Sequence, residues 1–148
     1  MSIQIRLATV NDIETIFDIR TSVKENHLSH TQLAELGITT ATIKDLIQDT
    51  SCVWVAELKD HVRGFAIADQ GEGYIFAMFV HPDFEAKGIG AALLNKAEDF
   101  LFQYFQEIYL ETEQKSRACE LYTRHGWQIV ECFENGDVKM KKISTVTL

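Results

Sequence analysis

The stretch from Tyr74 to Leu94, YIFAMFVHPDFEAKGIGAALL, holds the residues whose types and spacing most directly suggest chemistry. Its aromatic and β-branched residues predict a strand over 74–80. Lys87-Gly88-Ile89-Gly90-Ala91 then predicts a glycine-rich turn that opens a helix. At such a helix N-terminus, backbone N–H groups lack partners and lie at the positive end of the helix dipole. The turn is therefore suited to binding a phosphate or diphosphate.

The glycines alone leave several interpretations open. A dinucleotide-binding fingerprint needs G-x-G-x-x-G, but Leu93 stands where the third glycine would be, and the preceding strand belongs to a meander. A P-loop needs GKS or GKT, and neither tripeptide occurs. A dinucleotide is therefore disfavoured, and the other interpretations are a different nucleotide-bearing cofactor, or glycines that only let a helix pack closely on a strand.

The elements that would position this turn predict a mixed α/β fold in one domain over residues 1–148, in the order β-α-α-β-β-β-α-β-α-β-β. The predicted elements are strand 3–7, helix 13–23, helix 42–49 capped by Thr39 or Thr40, strands 52–58, 62–69 and 74–80, the helix after Gly88, strand 108–112, helix 116–124, and strands 127–134 and 137–143. A crossover helix joins the strands at 74–80 and 108–112, so we expect these two to be parallel. Asn135-Gly136 predicts a closing hairpin.

Composition and charge argue against several classes of function. The 148 residues carry a net charge of −8, which disfavours nonspecific nucleic-acid binding and favours a cationic acceptor. Cys52, Cys119 and Cys132 form no CxxC pair, so we expect reduced thiols. His27 and His30 lack a further ligand at recognised spacing, so we expect no metal. No apolar run approaches the ~20 residues that span a bilayer, and no basic leader precedes an apolar block. We therefore expect a cytoplasmic protein without a membrane partner.

Two linked segments resemble the GNAT acetyltransferase superfamily, and the run at residues 25–29, ENHLS, resembles one in a subgroup of small bacterial-type members. FVHPDFEAKGIGAALL resembles its acetyl-CoA segment, a strand ending in Val-x-Pro followed by Gln or Arg, two residues and Gly-x-Gly or Ala. RACELYTRHGW resembles its second segment, a helix ending in Leu-Tyr followed by Gly-Phe or Gly-Trp. The resemblance covers residues 3–142. Two positions depart from the pattern: Glu85 replaces Gln or Arg, and Lys115 replaces Asn.

The resemblance implies a grip on acetyl-CoA at the end of the third meander strand and the start of the following helix. The implied cofactor-binding residues are Phe79, Val80, His81, Lys87, Gly88, Ile89, Gly90, Ala91 and Lys115. The meander strand is expected to splay from its parallel neighbour near Phe79, and members of the family commonly carry a β-bulge in this strand. The Phe79 N–H is then the candidate for polarising the thioester carbonyl. Tyr122 matches the family's general acid, which protonates the departing sulfur.

The general base and the acceptor site are less closely defined. Glu25 is a candidate base or substrate contact, Glu72, Glu111 and Asp69 are alternatives, and a water-relayed base is equally consistent with the sequence. The resemblance places the acceptor site at the connection 25–29. Trp54 and Phe76 are candidates for an apolar wall there, or are core residues.

The resulting hypothesis is an N-acetyltransferase that moves the acetyl group of acetyl-CoA to a primary amine of a small molecule, peptide or protein, directly in a ternary complex. The alternative is a GNAT-fold module that binds acetyl-CoA without catalysis. The closing hairpin is expected to offer an exposed final strand, which would permit a homodimer.

Overall fold

The computed structural model describes residues 2–24 and 27–145 and has the expected mixed α/β fold. The strands are β1 Ile3–Leu7, β2 Val53–Leu58, β3 His61–Asp69, β4 Tyr74–Val80, β5 Glu107–Glu113, β6 Gln128–Cys132 and β7 Asp137–Ile143. The helices are α1 Ile13–Ser22, α2 His30–Glu35, α3 Thr40–Asp49, α4 Ile89–Leu101 and α5 Arg117–Arg124. Short 3₁₀ turns at Val10–Asp12 and Pro82–Phe84 precede α1 and α4.

Helix α2 is an addition to the predicted order, because its residues looked like a polar connection. Ser29 caps it by accepting the Gln32 N–H, and the Gln32 side chain accepts the Ser29 N–H in return. This capping box satisfies two backbone donors in a helix of six residues. Leu33 anchors the helix in the core, where it is fully buried.

The seven strands form one sheet in the order β1-β2-β3-β4-β5-β7-β6. Neighbouring strands are antiparallel except β4 and β5, which are parallel as predicted from the crossover helix α4. The closing hairpin forms around Asn135-Gly136, but it folds so that β7 lies between β5 and β6. The expectation of an exposed final strand is therefore wrong, since β6 is the edge strand.

Two apolar cores lie on opposite faces of this sheet. Helices α4 and α5 cover one face, where Ile75, Leu93, Ile108 and Tyr122 are buried together. We call this the α4 face. Helices α1 to α3 cover β2 to β4 on the other face, which we call the α1 face, and bury a second cluster around Phe65. Among the described residues, no helix is long and apolar enough to cross a membrane.

Candidate active site

A β-bulge in β4 sets the direction of the residues that follow it. Ile67 of β3 is opposite Ala77, whereas the next residue, Ala68, is opposite Ile75, so Phe76 is an extra residue in β4. Ile75 packs on the α4 face, and after the bulge Ala77 and Phe79 pack on the α1 face. The bulge thus reverses the face of the sheet on which the odd-numbered side chains of β4 lie.

The strands β4 and β5 diverge soon after they meet. Their register contains one pair, Tyr74 with Tyr109, and the Tyr109 N–H donates to the Gly73 carbonyl at 2.9 Å. Between residues 75–80 of β4 and 110–113 of β5, all of which the structure describes, no further ladder pair forms. The predicted splay is therefore present, and it begins earlier than Phe79.

The hydrogen-bond register decides which N–H groups of β4 are directed at this gap. The His81 N–H donates to the Arg63 carbonyl of β3 at 2.7 Å. Hydrogen-bonded pairs alternate along an antiparallel ladder, so the Phe65–Phe79 pair is also hydrogen-bonded, and the Phe79 N–H is directed at β3. This corrects the sequence-based choice of Phe79: Met78 and Val80 are the residues whose N–H groups are directed at the gap.

The gap leads to the N-terminus of α4, where the predicted glycine-rich turn lies. Gly88 is the N-cap residue in the left-handed region, at φ 88°, and no side chain caps the helix. The first α-helical hydrogen bond runs from the Ala92 N–H to the Gly88 carbonyl at 3.1 Å. The N–H groups from Gly88 to Ala91 therefore have no partners within the helix, as expected at a helix start.

Gly90 shows how closely the elements meet here. A Cβ atom on Gly90 would lie 3.0 Å from Leu121 Cδ2 of α5 and 3.8 Å from Val80 Cγ2 of β4. The end of β4, the start of α4 and one face of α5 therefore converge at this residue. The four N–H donors at this helix start fit a diphosphate group.

The remaining predicted cofactor residues surround the same turn. Lys87 and Lys115 are exposed. The His81 Nδ1 accepts the Asp83 N–H at 3.1 Å and so caps the 3₁₀ turn before α4. Glu85 forms an ion pair with Arg117, the first residue of α5, which the sequence analysis did not single out.

Tyr122 lies buried on α5, directly after Leu121. Its ring centroid is 6.0 Å from that of Trp127, and its carbonyl accepts the Trp127 N–H at 3.0 Å. Burial raises the pKa of the Tyr122 phenol above its usual value. The phenol therefore keeps its proton at neutral pH, which suits a proton donor and excludes a resting phenolate base.

A buried ionic contact fixes the segment that follows α5. Glu98 of α4 accepts hydrogen bonds from Trp127 Nε1 at 2.9 Å and from Lys142 Nζ at 2.6 Å. The sequence analysis missed this contact. The available signal was the position of Glu98 on the apolar face of α4, four residues after Leu94 and three before Leu101.

On the α1 face, a narrow cavity of about 30 Å³ lies between α1, α2 and α3 and the strands β3 and β4. Phe76 and Arg20 are among its lining residues, and the Arg20 guanidinium lies 4.1 Å from the centre of the Phe79 ring. Burial lowers the pKa of Arg20. Trp54 is instead buried on the α4 face against Phe100, so it is a core residue and does not share a wall with Phe76.

The described candidate bases lie in two different places. Glu25 falls outside the described residues. The Asp69 carboxylate accepts the N–H groups of Gly71 and Glu72, which places both acidic residues in the β3–β4 turn. Glu111 is exposed on β5, two residues beyond the last β4–β5 pair, on the face opposite the buried Leu110. Among the described candidates, Glu111 therefore lies beside the gap.

For the rest of the 25–29 connection, the structure describes local contacts. His27 Nδ1 donates to the Val23 carbonyl at 3.0 Å, and Ser29 caps α2. No group of three metal-ligating side chains occurs within residues 2–24 and 27–145.

Comparison with known proteins assigns this chain to a family. The profile of the acetyltransferase (GNAT) family matches residues 13–127, so the chain belongs to that family. Over 80 residues it is 34% identical to the peptidyl-lysine N-acetyltransferase YiaC of Escherichia coli, a match that spans 53% of this chain and 51% of that relative. The chain is thus matched to about half the length of this curated relative.

Solved structures share the fold. The PaiA N-acetyltransferase of Thermoplasma acidophilum, solved in complex with coenzyme A, superimposes with a TM-score of 0.80 at 19% identity, covering 97% of this chain and 100% of that one. YncA of Salmonella typhimurium, solved with its cofactor acetyl-CoA, gives a TM-score of 0.77 at 17% identity over 100% of this chain and 97% of that one.

Proposed function

We propose that this protein transfers the acetyl group of acetyl-CoA to a primary amine, directly in a ternary complex. The observation that carries the proposal is the β4–β5 gap, which runs into the partnerless N–H groups at the start of α4. A strand-like ligand with a diphosphate at one end matches that arrangement. Acetyl-CoA supplies such a ligand together with an activated acetyl thioester.

Backbone N–H groups would provide most of the contacts with acetyl-CoA. The N–H groups of Gly88 to Ala91 would hold the diphosphate, because they are donors without partners at a positive helix end. The Val80 N–H would pair with the amide-containing arm, and the Met78 N–H would polarise the thioester carbonyl. These donors are fixed by the sheet register, so they need little reorganisation during the reaction.

Tyr122 and Glu111 are the proposed proton-transfer residues. The acceptor nitrogen bonds to the acetyl carbon as the carbon–sulfur bond breaks. Glu111, on the open side of the gap, would take the proton that the amine releases. Tyr122, whose raised pKa keeps it protonated, would give a proton to the leaving sulfur.

A lysine side chain is the acceptor we favour. The relative from Escherichia coli, which this chain matches over about half its length, is a peptidyl-lysine N-acetyltransferase. The net charge of −8 also attracts a cationic acceptor to the protein. A cytoplasmic location would give such an enzyme both acetyl-CoA and protein acceptors.

The test measures release of free thiol from acetyl-CoA with lysine peptides, polyamines and amino-terminal peptides. We expect turnover to be highest with lysine peptides and to fall about a hundredfold in Glu111→Gln. The exposed Glu131→Gln change on β6 serves as a charge-matched control. Tight acetyl-CoA binding without turnover across the panel would contradict the enzymatic proposal and support a non-catalytic acetyl-CoA-binding module.

A further inference from the structure

Glu85 and Arg117 form an ion pair that connects the loop before α4 to the first turn of α5. The side chain of Arg117 is 71% exposed and that of Glu85 is 37% exposed. Exposed ion pairs contribute little to folding stability. The interest of this pair therefore lies in its place beside the start of α4.

Two contacts fix the side of α5 on which Arg117 lies. Arg117 and Leu121 are four residues apart in one helix, so they share a face. Leu121 Cδ2 is the atom that a Cβ on Gly90 would approach to 3.0 Å. Arg117 therefore extends from the α5 face that packs against the α4 N-terminus, and the ion pair with Glu85 holds its guanidinium at the turn.

Glu85 would be unfavourable here without that partner. A carboxylate three residues before Gly88 lies near the proposed diphosphate and repels it. The Arg117 guanidinium offsets this charge. It also carries five N–H donors in a planar fork, more than its Nη1 contact with Glu85 uses.

We propose that Arg117 binds the diphosphate of acetyl-CoA and that Glu85 is its positioning residue. This inference rests on the proposed function and adds a side-chain contact to the backbone grip. It also explains how this chain accommodates an acidic residue where related sequences carry Gln or Arg: the positive charge is supplied from α5 instead of the loop.

The first experiment compares Arg117→Ala with Arg124→Ala, which removes the same charge from the exposed far end of α5. We expect Arg117→Ala to raise the KM for acetyl-CoA about tenfold with kcat nearly unchanged, since one charge-assisted contact is lost. Arg124→Ala should change neither constant. Equal effects of the two variants would overturn the inference.

Truncated forms of acetyl-CoA show which part of the cofactor Arg117 contacts. With acetyl-dephospho-CoA, which keeps the diphosphate but lacks the 3′-phosphate, the tenfold effect of Arg117→Ala should persist. With S-acetylpantetheine, which lacks the diphosphate, the effect should disappear. Loss of the effect already with acetyl-dephospho-CoA would assign Arg117 to the 3′-phosphate and overturn the proposal.

The role of Glu85 is tested by whether Glu85→Gln raises or lowers the KM for acetyl-CoA in two backgrounds. In the wild-type background, Glu85→Gln should raise the KM for acetyl-CoA, because Arg117 loses its anchor. In the Arg117→Ala background, the same change should lower the KM, because it removes an unneutralised negative charge. Effects of the same sign in both backgrounds would contradict a positioning role.

The inference and the function on which it rests fail in different ways. If wild-type protein does not bind acetyl-CoA, as measured by calorimetry, the proposed function fails. If wild-type protein binds acetyl-CoA and Arg117→Ala binds it equally well, the inference alone is overturned.

Discussion

The two faces of the sheet present different kinds of groups for the proposed binding. On the α4 face, the proposed cofactor contacts are backbone N–H groups at the end of β4 and the start of α4, and strand register and helix geometry fix their directions. On the α1 face, the cavity next to the proposed site is lined by side chains from three short helices. In the proposed function, the cofactor class therefore follows from the fold, whereas acceptor choice would depend on side chains that vary without changing the fold.

The largest expected effect comes from Tyr122→Phe on the α4 face. Removing the phenolic proton donor should lower kcat about a thousandfold while leaving the Kd for acetyl-CoA nearly unchanged, because the proposed binding groups are backbone N–H groups and Arg117. Steady-state kinetics with calorimetry would check both values. Tyr104→Phe, at a half-exposed position outside the site, is the control. Unchanged turnover in Tyr122→Phe would remove its role as the acid.

Glu98→Ala tests how much the buried contacts of Glu98 stabilise the fold on the α4 face. The change leaves Lys142 without its carboxylate and the Trp127 N–H without its acceptor, in a buried setting. We expect a loss of about 3 kcal/mol in the free energy of unfolding, measured with urea. The neighbouring exposed residue Asp99, replaced by alanine, should change stability by less than about 0.5 kcal/mol. Similar losses in both variants would contradict the buried ionic contact.

Arg20→Met tests whether the α1 face acts on the acceptor alone. The substitution keeps an apolar stem but removes the guanidinium that lies over Phe79. We expect the KM for the amine to rise about fivefold, with the KM for acetyl-CoA unchanged. Lys24→Met, at an exposed position just after α1, is the charge-matched control. A rise in the KM for acetyl-CoA instead would show that the two faces are not separable.

The smallest effect is expected at the entry to α1. Burial alone would raise the pKa of Asp12, but hydrogen bonds from Arg6 and from the Thr9 N–H outweigh it and lower the pKa below its usual value. The stabilisation is then complete above the unfolded-state pKa and is lost as the pH falls through the lower folded-state value.

Asp12→Asn should accordingly cost less than about 1 kcal/mol at pH 7 and still less at pH 3. Urea unfolding at both pH values measures the difference. Asp18→Asn, at an exposed position on the same helix, is the control. A cost for Asp12→Asn that grows towards low pH would contradict the assigned direction of the pKa shift.

Much of the cofactor side could be predicted from local sequence. Aromatic and β-branched residues predict β4, the glycines predict the start of α4, and Asn135-Gly136 predicts the closing hairpin, because each signal involves residues that are neighbours in the chain. Helix α2 was missed although its capping box is local, since its six residues show little apolar periodicity.

The remaining features depend on distant pairings. The bulge at Phe76 appears only in the register of β4 against β3, and it decides that Met78 rather than Phe79 has its N–H directed at the gap. The Glu98–Lys142 and Glu85–Arg117 pairs join residues 44 and 32 positions apart. Their partners cannot be read from either segment alone.

Amide hydrogen exchange by NMR, with and without acetyl-CoA, tests the central claim most directly. The N–H groups of Met78 and Val80 are directed at the gap, so their exchange should slow strongly when acetyl-CoA binds. The Phe79 N–H is paired with β3 and should already be protected without it. Slowing at Phe79 with no change at Met78 and Val80 would contradict the proposed seating of the cofactor between β4 and β5.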